Sequence, residues 1–231
     1  MVKRAFDLVL GLLLLACSAP LLLLAALGVR LSSPGPVVFR ATRVGRGGAR
    51  FVMHKFRTMH AARDGAASVI TASRDPRVFA FGAFLRKTKL DELPQLFDVV
   101  RGHMSLVGPR PEDPRIVERH YNEEYRETLR VLPGLASPGS IYNYTHASSE
   151  LAGGDPEALY VTRVLPIKMA LERVYVQRAS FWYDLRILAR TAWIILAIAC
   201  GRAHFADPPE MALAEREGWL PDQRPSDASK P

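Results

Sequence analysis

Residues 85–111 read LRKTKLDELPQLFDVVRGHMSLVGPRP. Two adjacent carboxylates, Asp91 and Glu92, follow a cationic group (Arg86, Lys87, Lys89) and precede a Gly108-Pro109-Arg110-Pro111 turn. Thr88-Lys89-Leu90-Asp91 has the spacing of a capping box and Pro94 suits a first turn, so a helix is expected from about Leu90 to Val100. In that reading Asp91 is a capping partner and Glu92 a first-turn acid that complements the helix dipole. A chemical role for the pair is the alternative, and the local pattern leaves both open.

Toward the N-terminus, Asp75-Pro76-Arg77 is a turn signal followed by an apolar run from Val78 to Leu85. Lys55-Phe56-Arg57 places two cations one residue apart, on one face if the segment is a strand. Val37–Phe39 and Phe51–Met53 read as short strands around a Gly-rich link, Gly45 to Gly48. That link could cradle a phosphate with its backbone amides, but a hairpin loop is the favoured reading because the P-loop spacing is missing. Ser32 to Pro36 is a turn, and before it Leu8 to Val29 is 22 residues without a charge. About 20 apolar residues suffice to span a bilayer. Pro20 lies just past the middle, where it removes a backbone hydrogen bond, and Ser18 can bond the freed backbone. Lys3 and Arg4 stand at one end and Arg30 and Arg40 at the other, which favours both ends on the cytoplasmic side. A spanning helix and a kinked re-entrant helix both fit these residues.

On the C-terminal side, residues 114–130 pattern as one amphipathic helix with Val117, Tyr121, Tyr125 and Leu129 on a stripe. Leu132 to Tyr144 reads as a Pro/Gly-punctuated loop, and Asp155-Pro156 opens a helix that bends at Pro166 and reaches about Arg178. Phe181 to Cys200 is apolar with aromatics beside arginines, as suits a helix lying in a membrane interface or a buried core helix. The tail from Ala206 to Pro231, with five prolines, is expected to be disordered.

The chain of 231 residues is long enough for one domain with appendages. Its net charge of +8 and pI near 9.8 point to an anionic partner. The charge is uneven: no acid falls between Asp7 and Asp64, where eight Arg or Lys residues lie, from Arg30 to Arg63. Cys17 and Cys200 each sit in an apolar run, and no metal-ligand spacing exists, so a disulfide-stapled secreted domain is excluded. Nucleic acid is not expected as a partner, because the arginines of residues 40–50 carry no interleaved aromatics. The fold class expected is α+β, mainly helical, divided into a membrane helix (1–31), a catalytic body (32–205) and a tail (206–231).

The motifs taken in order resemble the bacterial sugar transferases, monotopic phosphoglycosyl transferases that begin glycan assembly on a polyprenyl phosphate. The matching residues are Lys3-Arg4 with Asp7, Pro20, Ser33-Pro34-Gly35-Pro36, Arg43-Val44-Gly45, Lys55-Phe56-Arg57-Thr58-Met59 and Asp75-Pro76-Arg77. The densest match covers Leu85 to Thr88 with Leu90 to Gln95, and Met104 to Pro111, and Ser180-Phe181-Trp182 with Asp184-Leu185 closes the series. The resemblance implies that Asp91 attacks the β-phosphorus of a UDP-sugar, UMP leaves, and polyprenyl phosphate then takes the phosphosugar. It implies Mg²⁺ held by Asp91 and Glu92, and donor contacts from Lys55, Arg57, Arg86 and the Pro109-Arg110-Pro111 turn. It also implies a re-entrant first helix kinked at Ser18 and Pro20, on the cytoplasmic face of the bacterial inner membrane, with the basic segment against anionic lipids. Three departures stand out. Ala19, not serine, precedes Pro20; Pro133-Gly134 is followed by LASPGSIYNYTH without the family's Trp-x-Gln and Asn-Gly-Arg; and Asp98 and His103 replace the usual Asn and Asp. The alternative function is a non-enzymatic, membrane-anchored basic protein that binds anionic lipid or nucleic acid.

Overall fold

The computed structural model describes residues 2–60, 75–146 and 154–221. Arg63 and residues 222–231 of the expected tail lie outside them. The chain is mainly helical, with two small two-stranded sheets. Helix α1 (Val2–Ser32) runs as one element through Pro20, and Ser18 Oγ donates to Leu15 O at 3.3 Å. It is long and apolar enough to cross a membrane. Most of its leucines, Leu12, Leu13, Leu23, Leu24, Leu27 and Leu31 among them, are exposed, an apolar surface that associates the chain with a membrane.

Only four α1 residues are buried, and they come from both ends: Asp7 and Gly11 near the start, Ala25 and Val29 near the finish. At the start, Lys3 pairs with Asp184 and Arg4 donates to the carbonyls of Val99 and Val100 at 2.6 and 2.7 Å. Asp7 accepts from Ser105 Oγ at 2.8 Å and Leu106 N at 3.1 Å. At the finish, Ala25 and Val29 join Phe56, Phe79 and Leu85 in a core cluster. Both ends therefore rest on the same folded body.

Strands β1 (Val38–Val44) and β2 (Arg50–Phe56) form an antiparallel hairpin in the register Val38 with Phe56 and Val44 with Arg50. The link between them is a turn in which Gly47 and Gly48 have φ of 68° and 80°, a region that β-carbons disfavour. A β-carbon at either position would point into open space, consistent with a hairpin loop. After the Asp75-Pro76-Arg77 turn come α2 (Ala80–Thr88), α3 (Gln95–Arg101) and the short strand β3 (Ser105–Val107).

The stretch expected as one helix over 114–130 is broken into α4 (Pro114–His120), α5 (Glu123–Arg126) and a 3₁₀ turn, Glu127–Arg130. Tyr121 leaves helical geometry at ψ 115°, and Asn122 starts α5 by capping Tyr125 N at 2.8 Å. The apolar stripe survives the break, with Val117 and Tyr121 in a core cluster and Tyr125 and Leu129 packed on it. The expected loop from Leu132 to Tyr144 instead holds β4 (Gly134–Ala136), parallel to β3, and α6 (Pro138–Thr145), capped by Ser137. A β-carbon on Gly134 would sit 2.0 Å from Gly108 N, so glycine permits this close approach of backbones.

Asp155 caps α7 (Pro156–Leu159), which passes through a π-helical turn, Tyr160–Val164, into α8 (Leu165–Arg178). The irregularity precedes Pro166, which sits in the first turn of α8 where its missing N–H costs nothing. Ten of the eleven residues of α8 from Leu165 to Tyr175 are buried, on every face of the helix, so it is the axis of the core. Helix α9 (Phe181–Ala199) buries Asp184, Ile187, Thr191 and Ile194 and exposes Phe181, Trp182, Trp193 and Leu196. Residues after Ala206 are not without structure: α10 (Glu210–Arg216) packs on α8, and Arg173 lies 4.2 Å from the Trp219 ring. Glu210 fixes that return by accepting from Tyr183 Oη and Arg190 Nη2, each at 2.8 Å.

Candidate active site

The helix expected from Leu90 to Val100 is split. Helix α2 ends at Thr88, whose hydroxyl turns back to Phe84 O (2.9 Å) and Leu85 O (3.2 Å), so it caps nothing downstream. Lys89 then adopts φ 59°, ψ 14°, and among the described residues it is the one non-glycine with positive φ. Leu90–Glu92 forms a 3₁₀ turn, and α3 starts only at Gln95. Pro94 explains the split: without an N–H it cannot continue an α-helical ladder, and the bonds around it run from i to i−3, Leu93 N to Leu90 O and Phe97 N to Pro94 O. With 3₁₀ spacing, neighbouring side chains diverge by about 120°. Asp91 and Glu92 are both buried yet face different partners.

Glu92 is saturated. Arg110 Nη2 and Nη1 donate to its two oxygens at 2.6 and 2.8 Å, and Tyr144 Oη donates to Oε2 at 3.3 Å. Burial pushes its carboxyl up, but the Arg110 guanidinium outweighs burial and holds it at about 2. Asp91 is the opposite case. Among the described residues neither oxygen accepts a hydrogen bond, and Oδ1 is sealed from solvent. Burial, then the Glu92 charge, raises its pKa to about 6, against the pull of Lys55, Lys89 and Arg86.

Those three cations make no hydrogen bond among the described residues. Lys55, on β2, lies 5.5 Å from the Phe39 ring, and burial lowers its ammonium to about 8. Lys89 lies 3.9 Å from the Tyr144 ring centre, and burial lowers its pKa too. The site thus combines a carboxylate without donors and three cations without acceptors. An anion with several oxygens would complete both sets.

Arg110 is held from below. Pro109 O accepts from Gly134 N at 2.9 Å, and Arg110 N donates to Glu172 Oε1 at 3.2 Å. Glu172 is fully buried on α8, also accepts from Ser137 Oγ at 2.7 Å, and leaves Oε2 without a partner. Burial raises its carboxyl to about 7 although Lys168 opposes. Beside it Lys168 pairs with Glu112, to which Tyr160 also donates.

The structure therefore brings together Asp91, Glu92, Lys55, Arg86 and the Pro109-Arg110-Pro111 turn. Arg57 does not join them: it is buried against the turn after α1, donating to Ser33 O (2.6 Å), Pro34 O (2.8 Å) and Ser33 Oγ (3.2 Å). Asp98 is also spoken for, accepting from His54 N at 2.9 Å and lying 2.8 Å from His54 Nδ1. Sequence reasoning missed Lys89, Tyr144 and Glu172 as parts of the site. The signal available was a lysine before the acid pair, a tyrosine in the departing LASPGSIYNYTH segment, and an acid amid the apolar residues of Ile167 to Val176.

Residues 1–198 match the model of the family described as bacterial sugar transferase. The chain belongs to that family. It is 41% identical over 192 residues, 82% of this chain and 67% of the relative, to the UDP-glucose:undecaprenyl-phosphate glucose-1-phosphate transferase of Caulobacter vibrioides. It is 36% identical over 198 residues to the protein of the same name from Xanthomonas campestris, covering 84% of this chain and 38% of that one. It is 33% identical over 199 residues to the UDP-N-acetylgalactosamine-undecaprenyl-phosphate N-acetylgalactosaminephosphotransferase of Aeromonas hydrophila, covering 84% and 44%. This bacterial sugar transferase thus spans two thirds of one of these relatives and about two fifths of the others. The family match runs from α1 into α9, so the long apolar helix and the Asp91 site both lie within the matched region.

Proposed function

We propose that this bacterial sugar transferase moves a sugar 1-phosphate from a UDP-sugar to a polyprenyl phosphate such as the undecaprenyl phosphate in its relatives' names. Asp91 attacks the β-phosphorus, the bond from that phosphorus to the bridging oxygen breaks, and UMP departs with the electron pair. The phosphosugar is then an acyl phosphate on Asp91. An oxygen of the polyprenyl phosphate attacks the same phosphorus, the bond to Asp91 breaks, and the carboxylate is restored. The observation that carries this reading is the unbonded Asp91 carboxylate among three unbonded cations.

The role of each group follows from its partners. Lys55 and Arg86 meet diphosphate oxygens, and Arg110, locked by Glu92, presents a fixed positive charge beside them. Mg²⁺, which in such sites neutralises diphosphate charge through few carboxylates and several waters, fits Asp91 with its free oxygens. Glu92 would reach the ion only by releasing an Arg110 contact. Among the described residues no cluster of three ligating side chains exists, which suits an ion shared with the donor.

The membrane placement we propose is a re-entrant α1 on the cytoplasmic face. It is supported by both ends of α1 packing on one body, since a spanning helix would separate them by the bilayer. Exposed Arg30, Arg40 and Arg46 then face anionic headgroups. The test is UMP release from a panel of UDP-sugars with polyprenyl phosphate and Mg²⁺. Wild type releases UMP and forms a covalent adduct detectable as a phosphosugar mass increment. Full turnover by Asp91→Asn would falsify the nucleophile, and no response to any UDP-sugar would sink the donor class.

A further inference from the structure

Lys89 is placed at a cost. A non-glycine residue at φ 59° is disfavoured by roughly 1 kcal/mol, and such strain persists where surroundings enforce it. What the conformation achieves is directional: it ends α2, starts the Asp91 turn and lays the ammonium over Tyr144 at 3.9 Å from the ring centre. Among the described residues that ammonium makes no hydrogen bond, so its three donors are free for a ligand. Tyr144 is engaged on both its face and its edge. Its ring carries Lys89, while its hydroxyl accepts from Arg110 Nη1 at 3.1 Å and donates to Glu92 Oε2 at 3.3 Å. It comes from α6, whose start is fixed by Ser137 bonding both Ser140 N and Glu172. One side chain thus spans the locked half of the site and the open half.

We propose that Lys89 and Tyr144 act as one unit of the donor site. Lys89 takes a diphosphate oxygen of the nucleoside diphosphate sugar, and Tyr144 is the positioning residue that holds both that ammonium and the Glu92–Arg110 pair. The inference rests on the donor class proposed above, and it adds two residues that the family's motifs do not supply at these positions. A purely structural Lys89 would only close α2, a task glycine performs better at this φ.

The full chain is solubilised with Mg²⁺ and assayed on the UDP-sugar that wild type turns over, and UDP affinity is measured separately by titration. Lys89→Gly relieves the backbone and removes the ammonium; donor KM and the UDP dissociation constant rise about tenfold, the weight of one charge-assisted hydrogen bond. Lys89→Arg restores most of the affinity. Tyr144→Leu matches Lys89→Gly in KM and lowers kcat as well, because the Glu92–Arg110 pair loses its clip. Tyr144→Phe keeps the ring, so KM holds and only kcat falls. The double variant Lys89→Gly/Tyr144→Leu loses no more UDP affinity than Tyr144→Leu alone. Donor KM and UDP affinity within twofold of wild type in Lys89→Gly, with wild type active, overturn the inference alone. An inactive wild type that still binds UDP overturns the proposed transfer and leaves the binding unit standing.

Discussion

Asp7 and Asp91 are both buried aspartates inside motifs shared with the family, and they live opposite lives. Asp7 is 1% exposed and every bond is made: Ser105 Oγ and Leu106 N satisfy its two oxygens, while Lys3, Tyr175 and Asp184 close a second network beside it. Asp91 is 7% exposed and makes no side-chain hydrogen bond among the described residues. A satisfied buried charge is architecture, since it docks α1 on β3. An unsatisfied one calls for a partner from outside the fold, and beside three cations an anionic ligand with its ion fits that need. Family membership cannot separate the two, because both residues lie inside the matched region. Hydrogen-bond completion separates them.

The largest effect expected follows directly. Asp91→Asn removes turnover to background, yet its melting temperature stays level or rises, because the isostere ends the repulsion from Glu92. Asp7→Leu does the reverse. It leaves the Ser105 hydroxyl and the Leu106 amide buried without acceptors, a loss of about 3–5 kcal/mol in stability. A thermal melt of both variants decides it: if Asp91→Asn melts earlier than Asp7→Leu, the division into architecture and site is wrong.

Glu172 lies between these extremes, with one oxygen bonded twice and the other not at all. Its folded pKa of about 7 stands above the ordinary 4.5. Between those values the folded chain holds a proton that the unfolded chain has released, so this residue's contribution falls as pH rises from 4.5 to 7. The total is about 3 kcal/mol. Glu172→Gln keeps the acceptor for Arg110 N and Ser137 and cannot ionise. Its melting temperature should exceed wild type at pH 8 and match it at pH 5. A constant difference across that range would mean the carboxyl is ionised throughout.

What could be read in advance, and what could not, follows the same physics. The turn at Asp75-Pro76-Arg77, the hairpin around Gly47 and Gly48, and the Asp155 cap were legible because each depends on residues adjacent in sequence. The break at Pro94 was half legible: proline was seen as a first-turn residue, whereas its missing N–H ended one helix before another began. Helix α6 and the return of α10 were not legible. Ser137 caps α6 beside a glutamate 35 positions away, and Glu210 is held by Tyr183 and Arg190. The dyad itself was recognised, but its asymmetry was not, since Arg110 and Tyr144 reach Glu92 from 18 and 52 residues off.

The smallest effects test whether completion alone assigns a role to a cation. Arg57 makes three hydrogen bonds to Ser33 and Pro34 and stands with Asp7 as architecture, despite its place beside Lys55 in the sequence. Arg57→Lys keeps the charge but loses the fork, which costs about 1–2 kcal/mol of stability. Donor KM should not move with it, and a KM increase without a lower melting temperature would return Arg57 to the donor site. Lys87 is the opposite control: among the described residues it is unbonded like Lys89, two residues away, but it is exposed on α2. An unpaired cation in water is already satisfied by solvent, so Lys87→Ala should change stability by less than about 0.5 kcal/mol and leave donor KM alone. Lack of a partner carries meaning only where water is also lacking. If Lys87→Ala shifted KM as Lys89→Gly does, the cations around Asp91 would be acting as a diffuse field, and burial would have no part in choosing among them.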